Sequence, residues 1–247
     1  MISKSFLSAN WEYLAMFNYA VDPLILTPHI PPHTLLDLFN GKALVSVVGF
    51  LFNDTKVLGV KWPGHVNFEE VNLRYYLKHF DGKTWKRGVG FISEIVPKRA
   101  ISTIANLLYN EHYSCARMKH SVINNSDEIN VSYSWETALK KVNKIEITAL
   151  NYLQDIRIGS EEEFIFEHYY GYNKLNRSTT IEYAVKHSRW QIFPVKSYML
   201  QCDIEKLYGK EFAPFIQDKK PQSVFLARGS AVTVGRPGKI KKSMYSL

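Results

Sequence analysis

Asn67-Phe68-Glu69-Glu70-Val71-Asn72-Leu73-Arg74-Tyr75-Tyr76-Leu77-Lys78-His79-Phe80, followed at once by Asp81-Gly82, is the stretch whose reading sets the fold class. Val71, Leu73, Tyr75 and Leu77 fall on one side of an alternation, and Glu70, Asn72, Arg74 and Tyr76 on the other. Period-two alternation marks a β-strand, because successive side chains leave a pleated backbone on opposite faces. Asp81-Gly82 is a strong hairpin signal, and Lys86 to Val96 supplies the returning strand.

Outward from this hairpin, strands dominate. Ala43 to Asn53 is an apolar run suited to a buried strand, and Trp11 to Phe17 is a short apolar stretch compatible with helix or strand. Further strands are expected over Cys115 to Ile123, Glu128 to Trp135, Lys144 to Leu150, Glu163 to Gly171, Thr179 to His187, Trp190 to Cys202 and Ser223 to Val234. The proline-rich passage from Thr27 to His33 is expected to be a loop, since proline fixes φ and restricts the residue before it. One helix is clear: Pro97 suits its first position, Ile101, Ile104, Ala105 and Leu108 form one apolar face, and it should stop near Asn110. A shorter one spans Asp203 to Tyr208, with Asp203 as N-cap and Gly209 as stop. Many strands with few helices predict a mainly β (α+β) domain in the form of a closed or nearly closed barrel. Barrels of this size often hold a ligand inside.

Composition sets bounds. The 247 residues are 46% hydrophobic and 14% aromatic, enough for a sizeable core and for one domain over residues 1–235. Two cysteines, Cys115 and Cys202, are too few for a disulfide framework, so a cytoplasmic chain with buried or inert thiols is expected. The start of the chain carries Asn10, Trp11 and Glu12 where a signal peptide needs an unbroken apolar core. The longest apolar runs fall well short of the ~20 residues of a membrane helix, so no membrane partner is expected. The net charge of +8 owes four positives to a basic tail, residues 236–247, expected to be solvated. Without a sustained Lys/Arg stripe in the body, nucleic acid is not the expected partner. A homo-oligomer is left open.

Two places carry candidate chemistry. Glu70, Asn72 and Arg74 project together, with neighbours ~6.8 Å apart along the strand, so Glu70 and Arg74 cannot pair directly. Either this is the solvent face of a sheet, or it is a polar barrel interior where Arg74 holds a small polar or carboxylate ligand and Glu70 moves a proton. The second place is the helix exit Asn110-Glu111-His112-Tyr113, which sets amide, carboxylate, imidazole and phenol in consecutive positions. It suits either a pocket wall or a polar loop. The eight histidines show no metal-ligand spacing, so neither a metal nor another cofactor is expected. Nucleophile elbows and phosphate loops are absent. Gly88-Val89-Gly90 is read as a bend or a close backbone approach.

The segments Val47-Val48-Gly49-Phe50, Phe68 to Arg74, Pro97-Lys98-Arg99-Ala100, Leu107 to Tyr113, Glu163 to Tyr169, Leu207-Tyr208-Gly209 and Ser223 to Ser230 together resemble the YqjF-like family. This is an uncharacterised group placed near acetoacetate decarboxylase, and the likeness runs from about Phe6 to Val234. The resemblance implies an acetoacetate decarboxylase-like antiparallel barrel, or cone, with an internal pocket and a few packed helices. In the decarboxylases a lysine from an adjacent pair forms a Schiff base with the β-keto acid, its amine made nucleophilic by a depressed pKa. The pair aligns near Tyr113 and Ser114, and neither is lysine; Lys119 lies further on, and Lys140-Lys141 in another segment. The pocket carboxylate has a counterpart in Glu70. The resemblance therefore implies an interior place for Glu70 and Arg74 without Schiff-base chemistry, and the residues themselves suit acid–base chemistry on a keto or carboxylate compound, with Glu70 or Glu111 as base and Arg74 as anchor. Asn72, Asn110, His112 and Tyr113 are the further binding residues. The alternative is a non-catalytic ligand-binding or sensor module.

Overall fold

The computed structural model describes residues 5–137 and 141–241. In chain order its elements are β1 (Leu7–Val21), α1 (Pro23–Leu26), β2 (Leu35–Leu36), β3 (Ala43–Val57), β4 (Phe68–Phe80), β5 (Trp85–Val96), α2 (Arg99–Tyr109), β6 (Tyr113–Cys115) and β7 (Met118–Asn124). These are followed by β8 (Glu128–Glu136), β9 (Val142–Leu150), β10 (Gln154–Asp155), α3 (Glu161–Phe166), β11 (Tyr170–Asn176), β12 (Thr179–His187) and β13 (Gln191–Phe193). The last are β14 (Val195–Gln201), α4 (Ile204–Tyr208), α5 (Ala213–Ile216), β15 (Ser223–Val234) and β16 (Gly238–Lys241). Strands β15-β1-β3-β4-β5-β11-β12 are hydrogen-bonded in that order, and β12 pairs back onto β15 through Val185↔Val234 to His187↔Val232. The sheet is thus a closed ring. A separate sheet of order β14-β9-β8-β7 lies against its outside.

Two cores follow from this arrangement. Val71, Leu73, Tyr75 and Leu77 of β4 pack outward, in one core with Ile129, Val131 and Tyr133 of the second sheet. Phe68 and Tyr76 point inward, in another core with Phe50, Phe166 and Trp190. Strand β3 is likewise covered on both sides, which is why it reads as a continuous apolar run rather than an alternation. Strands β8 and β9, covered on one side only, alternate cleanly between buried residues and half-buried or exposed ones.

Most ring joins are antiparallel. The expectation of an antiparallel barrel needs one correction: β11 runs parallel to β5, at Tyr170↔Gly88 and Gly171↔Val89. The chain reaches β11 from α3 instead of a hairpin, and parallel neighbours require such a crossover. Close approach at this seam requires glycine, since a Cβ on Gly88 would stand 2.5 Å from the Tyr170 carbonyl oxygen.

Several expectations are corrected by local chemistry. Glu163–Phe166 is helix, not strand, because Ser160 caps it by accepting from the Glu163 N–H at 3.2 Å and three glutamates fill the first turn. Trp190 to Cys202 is not one strand: β13 pairs with β15 in the first sheet and β14 with β9 in the second, with Pro194 between them. Thr27 to His33 is not all loop, since a 3₁₀ turn covers Thr27–His29. Pro97 does not take the first position of α2: the helix begins at Arg99, Lys98 is its N-cap, and Pro97 precedes the cap. Cys115 is exposed and Cys202 buried, so one of the two thiols expected to be buried or inert is buried. Part of the expected solvated tail, Gly238–Lys241, is strand β16 on β12; residues 242–247, with Lys242, lie outside the described residues. Among the described residues no helix is long and apolar enough to cross a membrane.

The β5–β11 seam gives a direct test. Gly88→Ala should lower unfolding stability by about 1–3 kcal/mol through overpacking, measured by urea denaturation; an unchanged midpoint would show that the seam yields freely.

Candidate active site inside the barrel

The ring encloses a cavity of about 600 Å³ with largely apolar walls. That volume lies within the usual range for small-molecule sites. Its polar groups come from strands whose side chains turn inward. Glu70, Asn72 and Arg74 all line it, and Arg74 is only 9% exposed. The reading of this face as a polar interior is therefore the one the structure adopts.

Glu94 was not legible as a site residue. The Phe80↔Trp85 pairing at the hairpin, continued without interruption, would place Ser93 opposite Asn72. A bulge between Leu73 and Arg74 on the pairing shifts the register by one, and Asn72 instead faces Glu94. One extra residue reverses which face each following side chain occupies, so Phe91 and Glu94 both point into the cavity.

The helix exit supplies the third carboxyl. Asn110 ends α2 in the left-handed region (φ 52°, ψ 46°), where asparagine is tolerated, and donates to the Lys174 carbonyl at 2.7 Å. The next residues run extended, so Glu111 and Tyr113 point inward while His112 points out. The Asn106 side chain pins Tyr113 by bonding both its N–H (2.8 Å) and its carbonyl (3.0 Å). Of the expected site residues, the structure brings together Glu70, Glu111, Arg74, Asn72 and Tyr113. Asn110 and His112 are exposed and do not line the cavity: one is consumed as a helix cap, the other alternates outward.

Glu70 is the best-served carboxyl, accepting from Asn72 Nδ2 and from the Tyr113 hydroxyl, each at 2.9 Å. Glu111 accepts from the Tyr183 hydroxyl. The Tyr183 ring occupies the space a Cβ on Gly171 would take, so that glycine admits it. Glu94 is 1% exposed, and its Oε2 has no partner. Burial pushes all three carboxyls up, Glu70 to about 7 and Glu111 to about 8. For Glu94 burial acts first and the proximity of Glu111 and Glu70 adds to it. Asn72, Tyr113 and the Arg74 charge oppose the rise at Glu70.

Arg74 stands deeper. Its Nη2 donates to the Ile165 carbonyl of α3 at 3.1 Å and lies 3.6 Å from Met16 Sδ, while its Nε has no partner. Among the described residues no carboxylate pairs with it. Nearby, His168 also lines the cavity; its Nε2 is 3.3 Å from Asp37 Oδ2, which accepts from Arg87 Nε at 2.6 Å. Burial would raise the Asp37 carboxyl, but bonds from His168 and Arg87 hold it well below its ordinary value. Burial pushes His168 down to about 4. The neutral ring thus donates from Nε2 to Asp37, leaving its buried, unpartnered Nδ1 as an acceptor. No lysine lines the cavity among the described residues. Lys119, on the second sheet, is exposed, and Lys140 lies outside the described residues.

Stability should carry the mark of these carboxyls. From the unfolded value of 4.5 up through about 8, the unfolded chain loses their protons while the folded chain keeps them, so stability falls as pH rises. Glu94→Gln, which mimics the protonated form, should raise Tm at pH 8 by at least about 3 °C and change little at pH 5. Equal shifts at both pH values in thermal unfolding would contradict this.

Comparison with known proteins agrees with the architecture. The model of DUF2071, described as "Uncharacterized conserved protein", matches residues 8–231. No curated protein matches the chain. Acetoacetate decarboxylase from Legionella pneumophila subsp. pneumophila str. Philadelphia 1 superposes with a TM-score of 0.61 at 13% identity, over 94% of this chain and 86% of that one. An acetoacetate decarboxylase-like enzyme from Sphingomonas wittichii RW1 gives 0.65 at 12%, over 97% and 94%. The enduracididine biosynthesis enzyme MppR complexed with pyruvate gives 0.64 at 12%, over 97% and 91%. At these identities the likeness is one of fold.

Proposed function

We propose that this chain, which belongs to the DUF2071 family and has an acetoacetate decarboxylase-like fold, binds a keto or carboxylate compound in its barrel and acts on it by acid–base chemistry without a Schiff-base lysine. The observation that carries this reading is Arg74, a buried guanidinium without a carboxylate partner in a cavity with three buried carboxyl groups. With Glu94 and Glu111 kept protonated by burial, Glu70 alone opposes the Arg74 charge, so the cavity carries no excess negative charge to repel an anion. A carboxylate at Arg74 would satisfy the guanidinium.

The carboxyls differ in ways that suit opposite roles. Glu70 accepts two hydrogen bonds and feels the Arg74 charge, so it is the more readily ionised and serves as base. Glu94, protonated and with a free oxygen, serves as acid. In the proposed step Glu70 takes a proton from the carbon beside the substrate carbonyl. Glu94 gives its proton to the carbonyl oxygen, and the product is a neutral enol. Tyr113 and Asn72 hold Glu70 in place. Glu111 stays protonated and accepts a hydrogen bond from the Tyr183 hydroxyl. The absence of lysine from the described lining, and Tyr113 at the position aligned with the decarboxylase lysine pair, support a lysine-free route.

Two measurements test it. Borohydride added with a keto acid should leave the protein mass unchanged, and a covalent adduct would overturn the lysine-free route. The protein should exchange deuterium into the carbon beside the keto group, and Glu70→Gln should slow this at least about 100-fold while keeping ligand binding. Binding with no exchange in the unsubstituted chain would favour the non-catalytic binding module.

A further inference from the structure

The inner face of β4 presents Phe68, Glu70, Asn72 and Arg74 in succession. At ~6.8 Å per step, Glu70 lies ~14 Å and Phe68 ~20 Å along the wall from Arg74. The two ends of that wall differ. Beyond Arg74 the barrel is closed by α3, whose Phe164, Ile165 and Phe166 are buried. At the Phe68 end the lining residues reach solvent: Leu58 and Trp62 from the β3–β4 connection are 59% and 57% exposed, and Ile104 of α2 is 43% exposed. Phe68 stacks on Phe52 there at 4.7 Å. The apolar face of α2 is turned to this opening and only partly covered. The mouth is thus apolar and the anion-seeking group lies at the bottom.

A three- or four-carbon keto acid would meet Arg74 or the mouth, but would leave most of the 600 Å³ and its aromatic walls to water. Buried apolar walls favour an apolar occupant, and each methylene so buried is worth roughly fourfold in affinity. We infer that the cavity takes an amphipathic monocarboxylate, which enters head first, sets its carboxylate on Arg74 and lays an alkyl or aryl body between Phe50, Phe52, Phe68 and Ile104. This deepens the proposed function, since it rests on Arg74 as the anion anchor, and it names the substrate class: organic acids with a body of about six carbons or more. In such a compound the middle of the chain passes Asn72, Glu70 and Glu94, so a keto group there meets the acid and the base.

Isothermal titration of the full chain at pH 7 with octanoate, 4-phenylbutanoate, pyruvate and octan-1-ol tests the inference. Octanoate or 4-phenylbutanoate should bind at least about 50-fold more tightly than pyruvate, and octan-1-ol at least about tenfold more weakly than octanoate. Ile104→Asp, on a partly exposed helix face, should weaken octanoate at least about tenfold. Pyruvate binding as tightly as octanoate, or an Ile104→Asp affinity equal to that of the native chain, would overturn the apolar body while leaving the anion anchor standing. Octan-1-ol matching octanoate would overturn the anchor and the proposed function with it. Failure of all four compounds to bind would overturn both.

Discussion

Closing the barrel around β4 takes Glu70, Asn72 and Arg74 out of water, and the second sheet covers the strand's other side. A buried polar atom without a partner costs about 1–3 kcal/mol, more if charged. The structure meets part of this demand with Tyr113, Asn72 and Tyr183 as donors to carboxyl oxygens. It leaves Glu94 Oε2, Arg74 Nε and Asn72 Oδ1 unmet. The barrel thus holds partly unsatisfied polar groups in an otherwise apolar space, an arrangement a bound polar group would relieve.

The groups that converge are positioned by departures from regular structure. A bulge in the β4–β5 pairing turns Glu94 inward. A left-handed asparagine ends α2 and starts the extended run that aims Glu111 and Tyr113 at the cavity. A glycine in β11 leaves room for the Tyr183 ring that holds Glu111. Each is a local device: the first two decide which face of an element a side chain occupies, and the third leaves room for a ring. The fold shared with the decarboxylase-like enzymes supplies the enclosure, and the proposed chemistry belongs to this chain's own side chains.

The pocket is divided along its length. Carboxyl groups lie between an apolar mouth and a cationic floor, so charge and apolar surface are separated instead of mixed. The Arg74 head group is braced by the Ile165 carbonyl and stands above the Asp37–His168–Arg87 cluster, where ionised Asp37 offsets the charge of Arg87. Arg74 has no carboxylate bonded to it among the described residues, and that difference separates the structural arginine from the one proposed to hold a ligand.

Period-two alternation in Asn67–Phe80 and the Asp81-Gly82 turn were enough to identify the hairpin, since side-chain direction in a strand is a local property of the backbone. The helix over Arg99–Tyr109 and the Asp203 cap were legible for the same reason: propensity and capping act within a few residues. The number of strands already predicted a closed or nearly closed barrel, and the family likeness added its interior pocket. What the linear order could not reveal was the register beyond the β5 bulge, the parallel β5–β11 seam and the outward turn of His112. These depend on contacts between segments far apart in the chain. Glu70 could be named from its own strand, but that it shares a cavity with Glu94 and Glu111 was decided only when the ring closed, because a strand's pattern says which residues share a face and not what that face will meet.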